Sequence, residues 1–337
     1  MGLEIMGQDD SGVWDSVIDS SINGTIYHSW DWLNIIEKHS DTRLFPLVYF
    51  DTKGNKPFGA IPLFYKKRLG IKMVFSPPPG SAVRLGPVMV DKGYRQHKLE
   101  LSYLDFQEQI DKFIKSLRPN YTLIISNPGL MDVRPFSWSD YNVSPLYTYM
   151  LDLSQGEEII WSNLSESLKR QIKQSQKSEI SIIENRESSG IDFICESMQK
   201  RLTEQNINSQ LNKSYWNDIF NTFGGSGVKI FTVMHSENII AAALYTSYRD
   251  VLVKLIGGAR STYQDFENSQ LLLSWDVIVK AVHDGYKWYE DEGANTRHLC
   301  NLKSKYCPKP SIYFQMKRAD IWGSCTEKSY RILKNKK

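Results

Sequence analysis

The sequence predicts an α/β protein of two similar lobes, each a mixed, largely antiparallel sheet flanked by helices. Its 337 residues exceed what a single hydrophobic core usually supports. The same order of predicted elements, a meander, a loop, a helix and a strand, also occurs twice. An apolar fraction of 41% with 23% charged residues is ordinary for a compact globular chain. We place the lobes at residues 1–145 and 146–337.

The first copy of this order begins at Phe45. The polar turns DTKGN and KKRLG separate three apolar runs, FPLVYF, FGAIPLFY and KMVFS, which predicts an antiparallel meander. The cluster PPPG at 77–80 ends the meander because proline cannot continue a sheet ladder. A helical pattern over about 99–117 then leads to a strand, YTLIIS, that begins at Tyr121.

The second copy lies in the C-terminal half. The short turns SEN and RD separate KIFTVMH, IIAAALYTSY and VLVKLIGGA. The loop ARSTYQDFENS, a helix at Gln270 and the strand YKWYEDE follow. Gly285 stands where the helix would end in a left-handed turn. Residue identity between the copies is not visible, so the repeat is one of elements.

Between the copies, a strand over 146–153 precedes a helical pattern and a strand from Ile180. The helix has an apolar face that consists of Ile159, Ile160, Leu164, Leu168 and Ile172. Its basic face consists of Lys169, Arg170, Lys173 and Lys177. That face could bind a phosphate-bearing ligand, with Arg170 as the substrate-binding candidate, or it is simply solvated.

Charge and terminal sequences exclude several classes of protein. A net charge of +3 is too small to argue for DNA binding, and the basic C-terminal tail KSYRILKNKK is expected to be solvated. The N-terminus MGLEIMGQDDSG has no signal-peptide pattern, and no apolar run is long enough to span a membrane. We therefore expect a cytoplasmic protein without a membrane span.

The four cysteines form neither a CxxC pair nor a disulfide framework. His298, Cys300 and Cys307 are close in sequence but lack a fourth zinc ligand, so no metal is expected. The chain also has no Ser-His-Asp order, Walker loop or Rossmann glycine pattern. Hydrolase, NTPase and dehydrogenase functions therefore have no motif support.

Three stretches of the second lobe resemble one family: SESLKRQIKQSQKSEISI, FENSQLLLSWDVIVKAVHDGYKWYEDEG and LCNLKSKYCPKP. In this order they are similar to the GNAT acyltransferase fold as found in FemAB-like proteins. These proteins include the peptidoglycan-bridge aminoacyltransferases and relatives with a BioF-like acetyltransferase domain. The resemblance covers about Tyr147 to Ala319 and implies two tandem GNAT-like lobes.

In the first lobe, TIYHSWDWL resembles the Gln-Ser-x-x-Trp motif of the same family. His28 takes the place of the glutamine and Trp32 matches the tryptophan, which implies a substrate-binding role for Trp32. The bridge-forming members tend to carry a lysine near this tryptophan, where this chain has Ile36. This departure favours a broader FemAB-like acyltransferase with another amine acceptor.

The resemblance also implies a catalytic lysine. Lys303 falls on the lysine of the family's Phe-Lys-x-x-Phe-Gly segment, with Leu302 in place of the phenylalanine. A lysine there would stabilise the tetrahedral oxyanion or assist proton movement. The alternative is a surface lysine beside Lys305.

The corner before the helix at Gln270 bears on the acyl donor. In ordinary GNAT enzymes this corner is glycine-rich, and its backbone amides cradle the pyrophosphate of coenzyme A. Here it consists of Asn268, Ser269 and Gln270, without glycine. The donor is therefore left open between acyl-CoA and aminoacyl-tRNA, and plain packing is the alternative for these residues.

The strand WYEDEG carries candidate acid–base groups. Alternation along a strand places Tyr289 and Asp291 on one face and Glu290 and Glu292 on the other. Acyl transfer to an amine needs a base for the ammonium proton, so Asp291 and Glu292 are candidates, with Tyr289 as a substrate-binding residue. The alternative is that the carboxylates of Asp291 and Glu292 are simply exposed to solvent.

These observations predict an N-acyltransferase that moves an acyl or aminoacyl group from a CoA or tRNA donor to an amine, such as a cell-envelope precursor, without a metal. A catalytically inactive scaffold or binding protein with the same fold is the alternative, and the missing glycines and Leu302 suit it. A separate nucleic-acid-binding role ranks third because the net charge is low.

Overall fold

The computed structural model describes residues 2–51, 56–130, 132–204, 212–257, 266 and 268–335. Within them the strands are β1 (Leu3–Ile5), β2 (Arg43–Asp51), β3 (Lys56–Arg68), β4 (Ile71–Ser76), β5 (Val88–Met89), β6 (Tyr121–Ile125), β7 (Asn142–Asp152), β8 (Ser181–Asn185), β9 (Val228–His235), β10 (Asn238–Tyr248), β11 (Val251–Gly257), β12 (Trp288–Asp291) and β13 (Lys309–Ala319). The helices are α1 (Ser11–Ser20), α2 (Trp30–Ser40), α3 (Gln96–Ser116), α4 (Arg134–Trp138), α5 (Glu157–Asn163), α6 (Glu166–Ser175), α7 (Ser189–Glu204), α8 (Lys213–Phe223), α9 (Ser269–His283), α10 (Arg297–Lys303) and α11 (Ile321–Asn335).

The chain divides into two compact units. The first extends to Leu146 and includes the C-terminal segment from Ile312, whereas the second is Tyr147–Ser311. The predicted lobes at 1–145 and 146–337 placed the whole C-terminal segment in the second lobe. The segment groups with the first unit because the end of β13 pairs antiparallel with β6.

The sheet of the first unit begins with a meander. β1, β2, β3 and β4 are successive antiparallel neighbours. β4 then pairs in parallel with β6, and β6 pairs antiparallel with β13. The helix α3 makes the crossover that a parallel pair requires. Its buried face, which includes Phe106 and Ile110, packs into the core of this unit.

The sheet of the second unit repeats these relations. β8, β9, β10 and β11 are antiparallel neighbours, β11 pairs in parallel with β12, and β12 pairs antiparallel with β7. The crossover between β11 and β12 contains α9, whose buried residues include Leu273 and Ile278. The predicted mixed α/β fold with two similar, largely antiparallel lobes is therefore confirmed.

Local differences from the prediction have local causes. The helical pattern between the copies forms two helices, α5 and α6, because Ser165 caps a new helix: its Oγ accepts a hydrogen bond from the Leu168 amide at 3.3 Å. Gly285 has a φ of +83°, as the left-handed stop requires. Most of the predicted loop ARSTYQDFENS lies outside the described residues.

Candidate functional site

The site forms where β12 lies between β11 and β7. Asp291 is the register partner of Lys254 on β11 and of Tyr149 on β7. Glu290, on the opposite face of β12, is buried and accepts a hydrogen bond from Thr148 Oγ1 at 2.6 Å. Strand alternation therefore turns Asp291, and Tyr289 with it, toward the side where a pocket opens.

A small pocket lies on this side of the sheet. Its volume of about 10 Å³ is room for roughly one water molecule. The residues that line it are Tyr149, Leu151, Tyr289, Asp291, Lys303, Tyr306 and Pro308. The structure thus brings together three residues that the sequence singled out, Tyr289, Asp291 and Lys303.

Lys303 is the last residue of α10, a short helix capped by Thr296. Its Nζ lies 2.9 Å from Asp291 Oδ1, and the two side chains are only 12% and 18% exposed. The same ammonium group donates to the backbone carbonyl of Glu292. A lysine ammonium has three N–H donors, so these two contacts leave one for an anionic oxygen in the pocket. Glu292 therefore contributes its carbonyl oxygen to the site.

Three buried tyrosines lie at or beside the pocket: Tyr289 and Tyr306 line it, and the Tyr245 ring centroid lies 6.4 Å from that of Tyr289. Burial raises the pKa of Tyr245, Tyr289 and Tyr306, and the negative charge of Asp291 raises each pKa further. The hydroxyl of Tyr306 donates to the backbone carbonyl of Leu271 at 3.2 Å. At neutral pH these phenols are protonated, so they act as hydrogen-bond donors rather than as bases.

Lys254, the register partner of Asp291 on β11, is a further charged residue near the pocket that no sequence pattern indicated. Its Nζ donates to Ser274 Oγ at 2.7 Å, and Ser274 Oγ donates to the Gln270 carbonyl at 2.9 Å. Burial lowers the pKa of Lys254. Gly257 provides the space, because a Cβ there would lie 2.4 Å from Lys254 Cε. Only the register between β11 and β12 places Lys254 beside Asp291, since the sequence of β11 is that of an ordinary strand.

The predicted donor-binding corner is the N-terminus of α9. Asn268 is the N-cap residue, without a side-chain capping bond, and Ser269 is buried. Gln270 Nε2 donates to the Ala242 carbonyl at 2.9 Å. Among the described residues, Ser269 Oγ and Gln270 Oε1 have no hydrogen-bond partner. Because the loop before Asn268 lies mostly outside the described residues, the phosphate cradle stays a prediction.

Two further candidates lie elsewhere. Arg170 is exposed on α6 in the second unit. Trp32 belongs to the first unit and is fully buried on α2, with its ring edge-to-face against Tyr27 at 5.0 Å between centroids. This contact makes Trp32 a core residue of its unit, and its proposed role in binding substrate has no support from these contacts.

The described residues carry neither a metal-binding cluster nor a membrane-spanning helix. Within the described ranges, no group of three or more His, Cys, Asp or Glu side chains is arranged to hold a metal ion. None of the helices in this part of the chain is long and apolar enough to cross a membrane. The cysteines are free, with Cys195 buried and Cys307 and Cys325 exposed.

Comparison with solved structures identifies the fold. FemX superposes with a TM-score of 0.69 at 10% identity, covering 93% of this chain and 97% of that chain. The C-terminal domain of a putative lysylphosphatidylglycerol synthetase from Agrobacterium fabrum gives a TM-score of 0.57 at 12% identity, covering 96% of both chains. A tandem GNAT protein from the clavulanic acid biosynthesis pathway gives 0.53 at 10% identity, covering 94% of this chain and 98% of that chain.

The chain has the tandem GNAT fold. The resemblance to FemAB-like proteins of the GNAT superfamily is therefore confirmed at the level of the fold. No protein-family model matches the sequence, and no curated protein is significantly similar to it. At about 10% identity the likeness shows the tandem GNAT fold alone, so the activity must be argued from the site.

Proposed function

We propose that this tandem GNAT protein is an N-acyltransferase that transfers an acyl or aminoacyl group to an amine at the pocket of its second unit. The observation that carries the proposal is the position of Lys303. Its ammonium group is held in the pocket wall by Asp291 and the Glu292 carbonyl, with one N–H free of these two contacts.

The chemistry requires an amine to attack the donor carbonyl and form a tetrahedral oxyanion. The remaining N–H of Lys303 stabilises that oxyanion, and its low exposure strengthens the interaction because water screens it less. Asp291 is the carboxylate that lines the pocket, and it accepts the proton that the attacking amine loses, directly or through one water. Collapse of the oxyanion then breaks the bond from the carbonyl carbon to the donor's sulfur or ribose oxygen, and the proton held by Asp291 passes to that atom, so the donor leaves as a thiol or a hydroxyl.

The donor is acyl-CoA or aminoacyl-tRNA, and the acceptor is a small-molecule amine or a cell-envelope precursor in the cytoplasm. The resemblance to FemAB-like proteins motivates both assignments. The N-terminus of α9 supports an anionic donor, because the Ser269 hydroxyl can donate a hydrogen bond beside the backbone amides of a helix start. Arg170, exposed on α6, remains the candidate for a second phosphate contact.

A donor screen tests the proposal. Calorimetry with acetyl-CoA and with charged tRNA, followed by mass spectrometry with candidate amines, identifies a working donor and acceptor. With that pair, we expect Lys303→Met to slow turnover by about a hundred- to a thousandfold and to change donor affinity little. Lys305→Met is the matched control, two residues away and outside the pocket lining. Wild-type turnover in both variants would remove Lys303 from the mechanism.

The inactive scaffold is the second candidate, and the pocket size favours it. A volume of about 10 Å³ does not admit an acyl group unless side chains move. The scaffold predicts no binding of either donor at millimolar concentration, whereas the enzyme predicts binding of one of them. If the NMR signals of Tyr306 and Lys303 shift when the donor binds, the pocket opens to admit it.

A further inference from the structure

The most exposed large apolar side chains of the described residues gather in one place. They are Leu69, Ile321 and Trp322, which are 95%, 80% and 69% exposed. Leu69 lies in the turn between β3 and β4, and the other two open α11 directly after β13. β4 and β6 run parallel, so both strands start at the same end of the first unit's sheet. β13 is antiparallel to β6, so β13 finishes at that end. We call this end of the sheet, with the β3–β4 turn and the start of α11, the hairpin end.

Hydrogen bonds through Asn120 join these segments. The Asn120 amide donates to the Lys72 carbonyl at 2.8 Å, and the Lys72 amide donates to Asn120 Oδ1 at 2.9 Å. On the other side, Asn120 Nδ2 donates to Asp320 Oδ2 at 2.8 Å. Gly323 packs so closely that a Cβ there would lie 2.0 Å from the Asn120 carbonyl oxygen. The start of α11 is therefore held beside the β3–β4 hairpin.

The hairpin end is also rich in positive charge. Its basic residues are Lys66, Lys67, Arg68, Lys72 and Arg118. Lys67 and Lys72 are direct cross-strand partners, and like charges in that position destabilise a hairpin. The nearby carboxylates are engaged: Asp41 pairs with Lys66 at 3.3 Å, and Asp320 accepts from Asn120. An external anion would relieve the repulsion between Lys67 and Lys72.

Leu69 is an unfavourable residue for its own turn. Arg68 and Ile71 pair across the hairpin, so Leu69 and Gly70 form a two-residue turn, and their φ angles are +49° and +82°. Positive φ at both positions is the type I′ pattern, for which Asn-Gly is preferred and leucine is strained. The Leu69 side chain is 95% exposed, so packing inside the unit does not explain why a leucine stands here. Strain in an exposed apolar side chain points to a role outside the folded unit.

We propose that the hairpin end docks on an anionic lipid bilayer. Leu69, Ile321 and Trp322 enter the boundary between headgroups and acyl chains, and the basic side chains around them meet lipid phosphates. Aliphatic tips beside a tryptophan suit a membrane interface. A single-stranded nucleic acid would instead call for several aromatic platforms for base stacking, and of these three side chains Trp322 alone is aromatic.

Sedimentation with vesicles tests the proposal without any acyl donor, so its outcome is independent of the proposed enzymatic function. The wild-type protein should bind vesicles of equal phosphatidylglycerol and phosphatidylcholine and should bind phosphatidylcholine vesicles far more weakly. Added salt should weaken the binding because it screens the charges. Lys67→Gln/Lys72→Gln should reduce affinity about 25-fold, about fivefold for each lysine. Lys67→Arg/Lys72→Arg keeps the charge and should keep the affinity.

Leu69→Asn separates the lipid role from a structural one. Asparagine suits a left-handed turn position, so the melting temperature should stay the same or rise, while vesicle affinity should fall about tenfold. Leu101→Asn is the matched control, because Leu101 is 54% exposed near the start of α3, at the opposite end of the sheet. Absence of binding to anionic vesicles, or equal binding by wild type and Leu69→Asn, would overturn the proposal. It would also be overturned if these variants lost affinity for tRNA and not for vesicles.

Discussion

The burial of His28 leads to a prediction about stability that can be tested without a substrate. This histidine is fully buried, and burial lowers its pKa to about 4, although hydrogen bonds to Gly86 and Thr25 act in the opposite direction. The Thr25 amide donates to His28 Nδ1 at 3.3 Å, and Nε2 lies 3.2 Å from the Gly86 carbonyl oxygen. These partners assign the neutral tautomer with its proton on Nε2. A second proton would occupy the nitrogen that accepts from Thr25.

The size of the effect follows from linkage between protonation and folding. In the unfolded chain His28 titrates near its ordinary value of 6.5, so between about pH 6.5 and pH 4 the unfolded state binds a proton that the folded state does not. The free energy of unfolding is therefore highest above pH 6.5 and falls as the pH decreases through this window. The full loss is about 3 kcal/mol, and about 2 kcal/mol of it occurs between pH 7.5 and pH 5.

His28→Gln removes this titration and keeps an amide that can accept and donate. Glutamine is also the residue of the FemAB-like motif at this position. We expect urea unfolding to show that wild type loses about 2 kcal/mol more than the variant between pH 7.5 and pH 5. His97→Gln, at an exposed histidine, is the control and should follow wild type. The same pH dependence in wild type and His28→Gln would refute the assignment of a buried neutral imidazole.

Two further predictions concern the site of the second unit. Lys303→Met and Asp291→Asn should each destabilise the fold by about 2 kcal/mol, because each leaves one partner of a largely buried pair without its counter-charge. The double variant should cost about 1 to 2 kcal/mol less than the sum of the two, and additive values from denaturant unfolding would show that the pair is not coupled. Because burial lowers the pKa of Lys254, the unfolded chain binds its proton more tightly, so wild-type stability should rise with pH from that lowered pKa up to about 10.4. Lys254→Met should be more stable than wild type at pH 7 and should lack this rise. If the free energy of unfolding changed equally in wild type and Lys254→Met between pH 7 and pH 9.5, the lowered pKa of Lys254 would be contradicted.

Much of the fold was predictable because its signals are local. Alternating apolar runs separated by short polar turns predicted both meanders, and helical spacing with a glycine at 285 predicted α9 and its end. The break between α5 and α6 was missed because one serine cap at Ser165 outweighs a continuous apolar periodicity. The pairing of the C-terminal β13 with β6 is a long-range contact without a local signal.

The candidate site was predictable only in part. Motif position indicated Lys303, and strand alternation placed Tyr289 and Asp291 on one face. Tyr149, Tyr306 and Lys254 went unnoticed because each is an ordinary residue in its own segment. Their convergence depends on the register among β7, β12 and β11, whose residues are far apart in sequence.

The order and type of the main elements are encoded locally, because backbone propensity and hydrophobic periodicity act over a few residues. Which polar groups lose their water depends on the folded arrangement. It buried Trp32 and His28 in the core of the first unit, and it brought Lys254 into contact with Ser274 of α9. It also left Leu69 exposed at a strained turn. Desolvation depends on all the neighbours that packing brings together, and a pattern along one segment does not contain them.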